Sequence, residues 1–396
     1  MDRRQFLYGG TAGFTLAGMP PSRLLAQAAP LFDPVGAILP IRATPDRIFR
    51  TTVCLRPFRA AGPRLDAERI GHKLVVHNYG HGGSGWSLSW GSAQVVVTKA
   101  MEQSSREIAV IGAGALGLTA AITAQRAGAK VTIYTKDRFP NVRSARATGS
   151  WTPDSRIAMA NAVGPEFGGL WSHMAHASYA MWQSYVGLPG NPVEWNDRYV
   201  LSDIPMAQFR EAMHATEVSG FVHYADRIAD ITPKPQELPA GSHPFATAYA
   251  TRNSQMMFNV ADLAHQLTTD FLLAGGTIET AEFYEPRDLT RLKQKVIINC
   301  TGYGARALFQ DESVVPVRGQ IAWLLPQAGA SYGLYYKTVS VLARRDGIVV
   351  QDMGTDDRFG FNDANETPDI AAARTSVEVL AEVFAPRLPA AVRRPT

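Results

Sequence analysis

Cysteine is nearly missing from this chain: two residues, Cys54 and Cys300, among 396. Both lie in apolar, strand-like runs, so a disulfide-stapled scaffold is not implied and buried free thiols are expected. Charge of one sign is scarce too. The formal net charge is +4, and the first 28 residues carry three arginines and one aspartate, which leaves the rest near +2. The basic residues are scattered rather than striped, which argues against a nucleic-acid partner. Beyond those first residues no apolar run reaches the length of a membrane span. Internal repeats and low-complexity segments are absent. What remains is a chain with 46% hydrophobic and 19% charged residues, long enough for about two or three domains around a sizeable core.

The start of the chain reads as an export signal. "MDRRQFLYGGTAGFTLAGM" pairs Arg3 and Arg4 with a short apolar segment, and "AQA" at 26–28 supplies a small-residue cleavage site. This is a twin-arginine signal over 1–28, of the kind that takes folded proteins through the twin-arginine export machinery, and it implies a periplasmic or secreted product. Residues 29–49 are proline-punctuated and read as a linker.

"FRTTVCLRPF" (49–58) and "KLVVHNYG" (73–80) have strand composition, and residues 92–104 look helical. "EIAVIGAG", "ALGLTAAITAQRAGA" and "KVTIYTKD" form a strand, an Ala-rich helix and a second buried strand, which is a βαβ unit with Gly128 as helix C-cap. Further helices are expected over 170–187, over 255–276 with Asn259 as cap, and over 369–384. The four-proline stretch 230–244 reads as a loop. "KVIINCTGYGA" (295–305) is expected to return to the first sheet, while "VVPVRGQIAWLL" and "DGIVVQDMG" read as strands of a second, antiparallel sheet.

Two glycine loops carry the chemistry. In "GAGALG", Gly112 permits a tight turn, Gly114 lets backbone approach a pyrophosphate and Gly117 lets helix pack on strand. With a strand before and a helix after, the pattern points to a dinucleotide on a helix N-terminus. Thr135, Lys136 and Asp137 compete for the adenosine ribose, and Asp137, 20 residues after Gly117, is the choice. Lys136 and Arg138 would instead suit the 2′-phosphate of NADP. The second loop, "GHGGSGWS" (80–87), is a strand-to-helix turn whose N–H groups converge at the start of the 86–104 helix, where bare backbone admits a flat ring. A ligand-free glycine turn is the alternative. His77 and His81 are four apart, but the intervening glycine argues against a metal pair, and no metal is expected.

"VVHNYGHGGSGWSLSWGSA" (75–93), "IAVIGAGALGL", "RATGSWTPD" (146–154), "INCTGYGARAL" (298–308) and "PVRGQI" (316–321) strongly resemble signatures of the D-amino acid oxidase family. "LRPFRAAGPRLDAE" (55–68) resembles that family's substrate-arginine strand. Members usually begin with the dinucleotide loop and end with the arginine strand and the H-N-Y-G-H-G-G turn; here those last elements come first, which reads as a circular permutation. The resemblance implies an α/β fold with a Rossmann-like FAD-binding domain (107–160 and 255–310) and an antiparallel-sheet substrate domain (161–254 and 311–385). The permuted segment would be 50–106, and 386–396 a tail.

It also implies FAD as cofactor and oxidation of a D-amino acid to an imino acid by hydride transfer. The imino acid hydrolyses to a 2-oxo acid and ammonia, and oxygen or another acceptor takes the electrons, giving hydrogen peroxide with oxygen. Arg56 matches the carboxylate clamp, with Arg59 as its competitor, and Gly83 the contact to the substrate amine. Gly82, Gly83, Ser84, Gly85, Trp86 and Ser87 match the flavin turn. Arg143, Ser144, Ala147, Thr148, Gly149 and Ser150 match the loop past the pyrophosphate and ring. Ala115 and Leu116 open the helix behind the first loop; Asp137, Arg138 and Phe283 complete the expected cofactor residues. Thr152 falls at a polar position facing substrate. Tyr335 or Tyr336 matches the first of two site tyrosines, while Val339 or Ser340 stands where the second is expected. Arg344 and Arg345 read either as an acid-reading pair or as a solvated hairpin turn. The rival reading is an exported FAD- or NADP-binding protein that senses or scaffolds without turnover.

Overall fold

The computed structural model describes residues 38–216 and 220–385; the expected export signal, the first part of the expected linker (29–37) and the expected tail lie outside them. From Leu39 on, the chain forms one compact unit. Its elements run β1 (Ile48–Arg59), β2 (Ala67–Ile70), β3 (Lys73–His77), α1 (Gly85–Met101), β4 (Glu107–Ile111), α2 (Ala115–Arg126), β5 (Lys130–Thr135) and α3 (Phe167–Gln183). Then come β6 (Val193–Ser202), α4 (Met206–Thr216), β7 (Gln236–Glu237), β8 (Tyr249–Phe258), α5 (Val260–Leu273), β9 (Thr277–Thr280), β10 (Val296–Asn299) and α6 (Ala305–Leu308). The chain closes with β11 (Val314–Leu324), β12 (Tyr332–Tyr336), β13 (Val339–Arg344), β14 (Gly347–Asp352) and α7 (Ile370–Glu382).

Among the described residues the strands form two sheets. The first has the order β2-β3-β10-β4-β5-β9 and is parallel from β3 to β9. Its central strands are continuous buried runs, as helices on a parallel sheet require. Because β10 lies between β3 and β4, the loops leaving the carboxyl ends of all three strands share one edge. That edge is where open α/β sheets take ligands. α1 packs on α2 and on α3, and at Gly91 an added Cβ would fall 2.2 Å from the Met174 carbonyl, so that crossing depends on the missing side chain.

The second sheet has the order β1-β11-β14-β13-β12-β6-β8-β7 and is antiparallel except for β12 with β6. Residues directly opposite one another share a face. Following the pairs Arg50–Trp323–Val349–Leu342–Gly333–Arg198–Asn253 puts Arg56, Ser340, Tyr335 and Gln255 on that same face. α7 packs along β11 and β14.

Two helix expectations shift. Residues 255–258 belong to β8, and the helix begins only at Val260, with Asn259 in the cap position but without a side-chain cap bond. The apolar run "QMMF" suits a buried strand as well as a helix, and periodicity does not separate the two. α1 begins at Gly85, one residue before the 86 at which the glycine turn is expected to start it, because that turn already holds helical backbone there (φ −51°). Both cysteines are free thiols. No helix among the described residues is long and apolar enough to cross a membrane.

Candidate active site

The first loop leaves β4 with Gly112 at φ +101°, where an added Cβ would lie 2.7 Å from the Cys300 carbonyl. At Gly117 it would lie 1.9 Å from the Gly112 carbonyl, so α2 sits directly on the turn. The N-terminus of α2 then opens with Ala115, whose N–H donates to Ser144 Oγ (3.2 Å), and with the buried Leu116. Gly114 faces the same hydroxyl at 3.1 Å. Arg143, next to it, pairs with Glu366 (2.8 Å) and lies over Tyr303, while its Nη1 is buried without a protein partner.

The second loop leaves β3. Gly82 has φ +54°, and its Cβ would meet the Arg156 carbonyl at 1.9 Å. Gly83 N–H and Ser84 Oγ both donate to the Ser155 carbonyl, at 2.9 and 3.2 Å. Gly85 opens α1 into free space, with no heavy atom within 4 Å of an added Cβ. Trp86 Nε1 donates to the Ser144 carbonyl (3.0 Å), and Ser87 Oγ accepts from the Thr152 N–H (2.8 Å). Ser144 therefore touches both loops: its hydroxyl meets the first and its carbonyl the second. One segment, 143–156, ties the two together.

His81 sits inside the second loop, 1% exposed, with neither ring nitrogen hydrogen-bonded. Burial pushes its pKa down to about 3, from 6.5. Between those values the unfolded chain binds the proton and the folded chain does not, so this contribution to stability is complete above about 6.5 and is lost as pH falls. His81→Phe is expected to flatten the decline by up to about 1 kcal/mol per pH unit. Urea unfolding at pH 7, 6 and 5 measures it; parallel curves for the two proteins would refute the assignment.

The described face of the second sheet looks toward the 143–156 segment, since Ser150 bridges to Met257 and Arg344 Nη1 donates to the carbonyls of Ala147 (2.9 Å) and Thr148 (3.2 Å). Gly149, φ +95°, leaves room for the Arg344 guanidinium and the Phe258 carbonyl. On the same face Arg56 is half-buried, and no carboxylate pairs with it among the described residues. Burial pushes its pKa down. Its guanidinium lies over Gly319, where an added Cβ would approach Nη2 to 2.5 Å.

Residues 107–395 match the family described as FAD dependent oxidoreductase, DAO. The chain belongs to this DAO family. It is 27% identical over 229 residues to a D-amino-acid oxidase of Streptomyces coelicolor and 25% identical over 224 residues to a D-amino-acid oxidase of Dictyostelium discoideum. Those matches take in 57% and 54% of this chain and 61% and 55% of the relatives' own length. Among solved structures, an iminodiacetate oxidase from Chelativorans sp. BNC1 aligns with TM-score 0.46 and 18% identity over 69% of this chain and 76% of that one.

Residues of this DAO-family chain fit FAD. The bare backbone at Gly112 and Gly114 and the orphaned Arg143 Nη1 suit a pyrophosphate, and the open space at Gly85 suits a ring. Asp137 is exposed at the end of β5, its carbonyl accepting from Thr135 Oγ1. Lys136 pairs with Glu282, and Arg138 donates to the Ile278 carbonyl, so both cations of the NADP alternative are already engaged.

Three sequence expectations are corrected. Tyr336 points to the opposite face, its hydroxyl donating to Asp203 (2.9 Å), so Tyr335 alone of the pair faces Arg56's side, with Ser340 directly across from it. Phe283 is not among them: it packs edge-to-face on Tyr134, against a small core that includes Ile111 at the end of β4. Arg344 is neither solvated nor free for an acidic ligand: it is buried and ion-paired with Asp346. Arg59, the competitor for the clamp, is taken by Asp311 (3.4 Å) and Ser313 (2.9 Å). Sequence reasoning passed over Ser155 and Arg156, whose signal is only their contact with the distant glycines Gly82 and Gly83.

Proposed function

We propose that the protein oxidises a D-amino acid at its Cα–N bond to an imino acid, which water then converts to a 2-oxo acid and ammonia. The observation that carries this is Arg56: a half-buried cation with no carboxylate partner among the described residues, on the sheet face that the loop-bridging segment lies against. A guanidinium fork matches a carboxylate bidentately, so Arg56 orients the substrate by its carboxylate. The Gly83 carbonyl accepts from the substrate amine, and the Tyr335 hydroxyl faces the same space. FAD, when bound, supplies the hydride acceptor, with oxygen or another acceptor downstream. The chain's own part is alignment and electrostatics, which needs no carboxylate base at the site.

We also propose that 50–106 is the family's closing segment moved to the front. The family match beginning at 107 and the short link from α1 to β4, residues 102–106, support this. Joining two neighbouring chain ends costs little. Export by the twin-arginine machinery to the periplasm completes the proposal; cell fractionation of the wild type and of a paired Arg3→Lys, Arg4→Lys variant tests it, and unchanged location refutes it.

Ser340, in place of a second site tyrosine, favours the rival reading of a flavoprotein without turnover. Anaerobic absorbance decides between them. Bleaching of the bound flavin by D- but not L-amino acids is the expected result; no bleaching by any amino acid would leave the rival.

A further inference from the structure

We propose that Arg198 is a second anion-binding group of this site and selects substrates with an acidic side chain. The inference rests on the D-amino acid reading above.

Three inward arginines on the described sheet face differ in one respect. Arg344 is neutralised by Asp346. Arg56 and Arg198 are half-buried, and neither has a carboxylate partner among the described residues. An unpaired cation held partly out of water is costly, so its retention asks for a ligand that completes it. Two such cations on one face ask for two carboxylates, and an acidic D-amino acid carries both.

The surroundings of Arg198 place it beside the site. Its stem lies over Gly333, where an added Cβ would be 3.7 Å from Cγ. Nη1 donates to Gln255 Oε1 (3.1 Å), and Gln255 Nε2 donates to the Trp151 carbonyl (3.1 Å), the peptide immediately before Thr152. Tyr335 lies near enough for the Arg198 guanidinium to favour its phenolate, against the burial that raises the phenol's pKa. Opposite Tyr335 stands Ser340, a small side chain on the same face. One guanidinium edge is thus anchored by a neutral amide, and the charge itself is left unmatched.

The test uses the FAD-loaded protein and a panel of D-aspartate, D-glutamate, D-asparagine, D-glutamine and D-alanine, with anaerobic flavin bleaching as readout. Wild type is expected to react at least about tenfold faster with an acid than with its amide. Arg198→Gln is expected to lose about 100-fold toward the acids, the size of a lost charge-assisted bond, and to stay within about threefold toward D-alanine. Arg198→Lys should recover part of the loss. A second readout needs no turnover: glutarate should raise Tm more than butyrate does, and Arg198→Gln should abolish the difference. A preference for the amides, or an equal loss toward D-alanine and the acids, overturns the role of Arg198 alone. Bleaching by no D-amino acid at all overturns the underlying reading and this inference with it.

Discussion

Replacing Arg56 by alanine is expected to lower kcat/KM for the D-amino acid substrate about 1000-fold while FAD stays bound. Removing one partner of a buried, hydrogen-bonded charge pair typically costs about 2–5 kcal/mol, and here the stranded group would be the substrate's carboxylate. Nothing else on the described residues near Arg56 replaces that charge: Arg59 is held by Asp311 and Ser313, and Arg156 donates to the Asp357 carbonyl (2.7 Å). The loss should appear in KM and kcat together, because the clamp both binds and aligns. Arg56→Lys keeps the charge without the fork and should fall between. Stopped-flow reduction at several substrate concentrations separates the terms. A variant that folds less stably yet keeps its kcat/KM would make Arg56 a packing residue.

The second large effect is expected at Gly117. Gly117→Ala drives a Cβ to 1.9 Å from the Gly112 carbonyl, a backbone atom that cannot swing away. Either α2 lifts off β4 or the turn at Gly112 opens, and both move the N–H groups that meet the pyrophosphate. A destabilisation of about 3 kcal/mol is expected, together with a colourless purified protein. Gly114→Ala is the contrast, because its Cβ meets only the Ser144 hydroxyl at 3.1 Å. That variant should fold with near-normal Tm and bind FAD weakly. Urea unfolding and absorbance of the purified variants distinguish the two; full FAD content in Gly117→Ala would show that Gly117 acts on packing alone.

The legible parts of the sequence are those whose physics is local. Continuous buried runs around G-x-G-x-x-G identify β4, α2 and β5, since strand, turn and helix lie within about 30 residues of one another. β-Branched and aromatic composition identifies β1, the strand that carries Arg56. Other features depend on pairing across long stretches of chain. Tyr335 and Tyr336 differ only in which face they take, and that follows from pairing with β13 and β6. Arg344 reads as a hairpin residue because its acceptors, Ala147 and Thr148, lie about two hundred residues earlier. Arg198 has no motif at all. Its meaning comes from Gly333 and Tyr335 on β12 and Gln255 on β8, which the sheet brings beside it.

The central claim is that residues 82–87 and 112–117 hold one FAD between them. Gly85→Leu tests it most directly, because φ −51° suits any helical residue and the added side chain meets no protein atom within 4 Å of its Cβ. The measurement is calorimetric titration of the apoprotein with FAD and with ADP, which lacks the ring. One shared site predicts that Gly85→Leu weakens FAD at least about tenfold, leaves ADP affinity unchanged and keeps the apoprotein's Tm. Unchanged FAD affinity in that variant would contradict it.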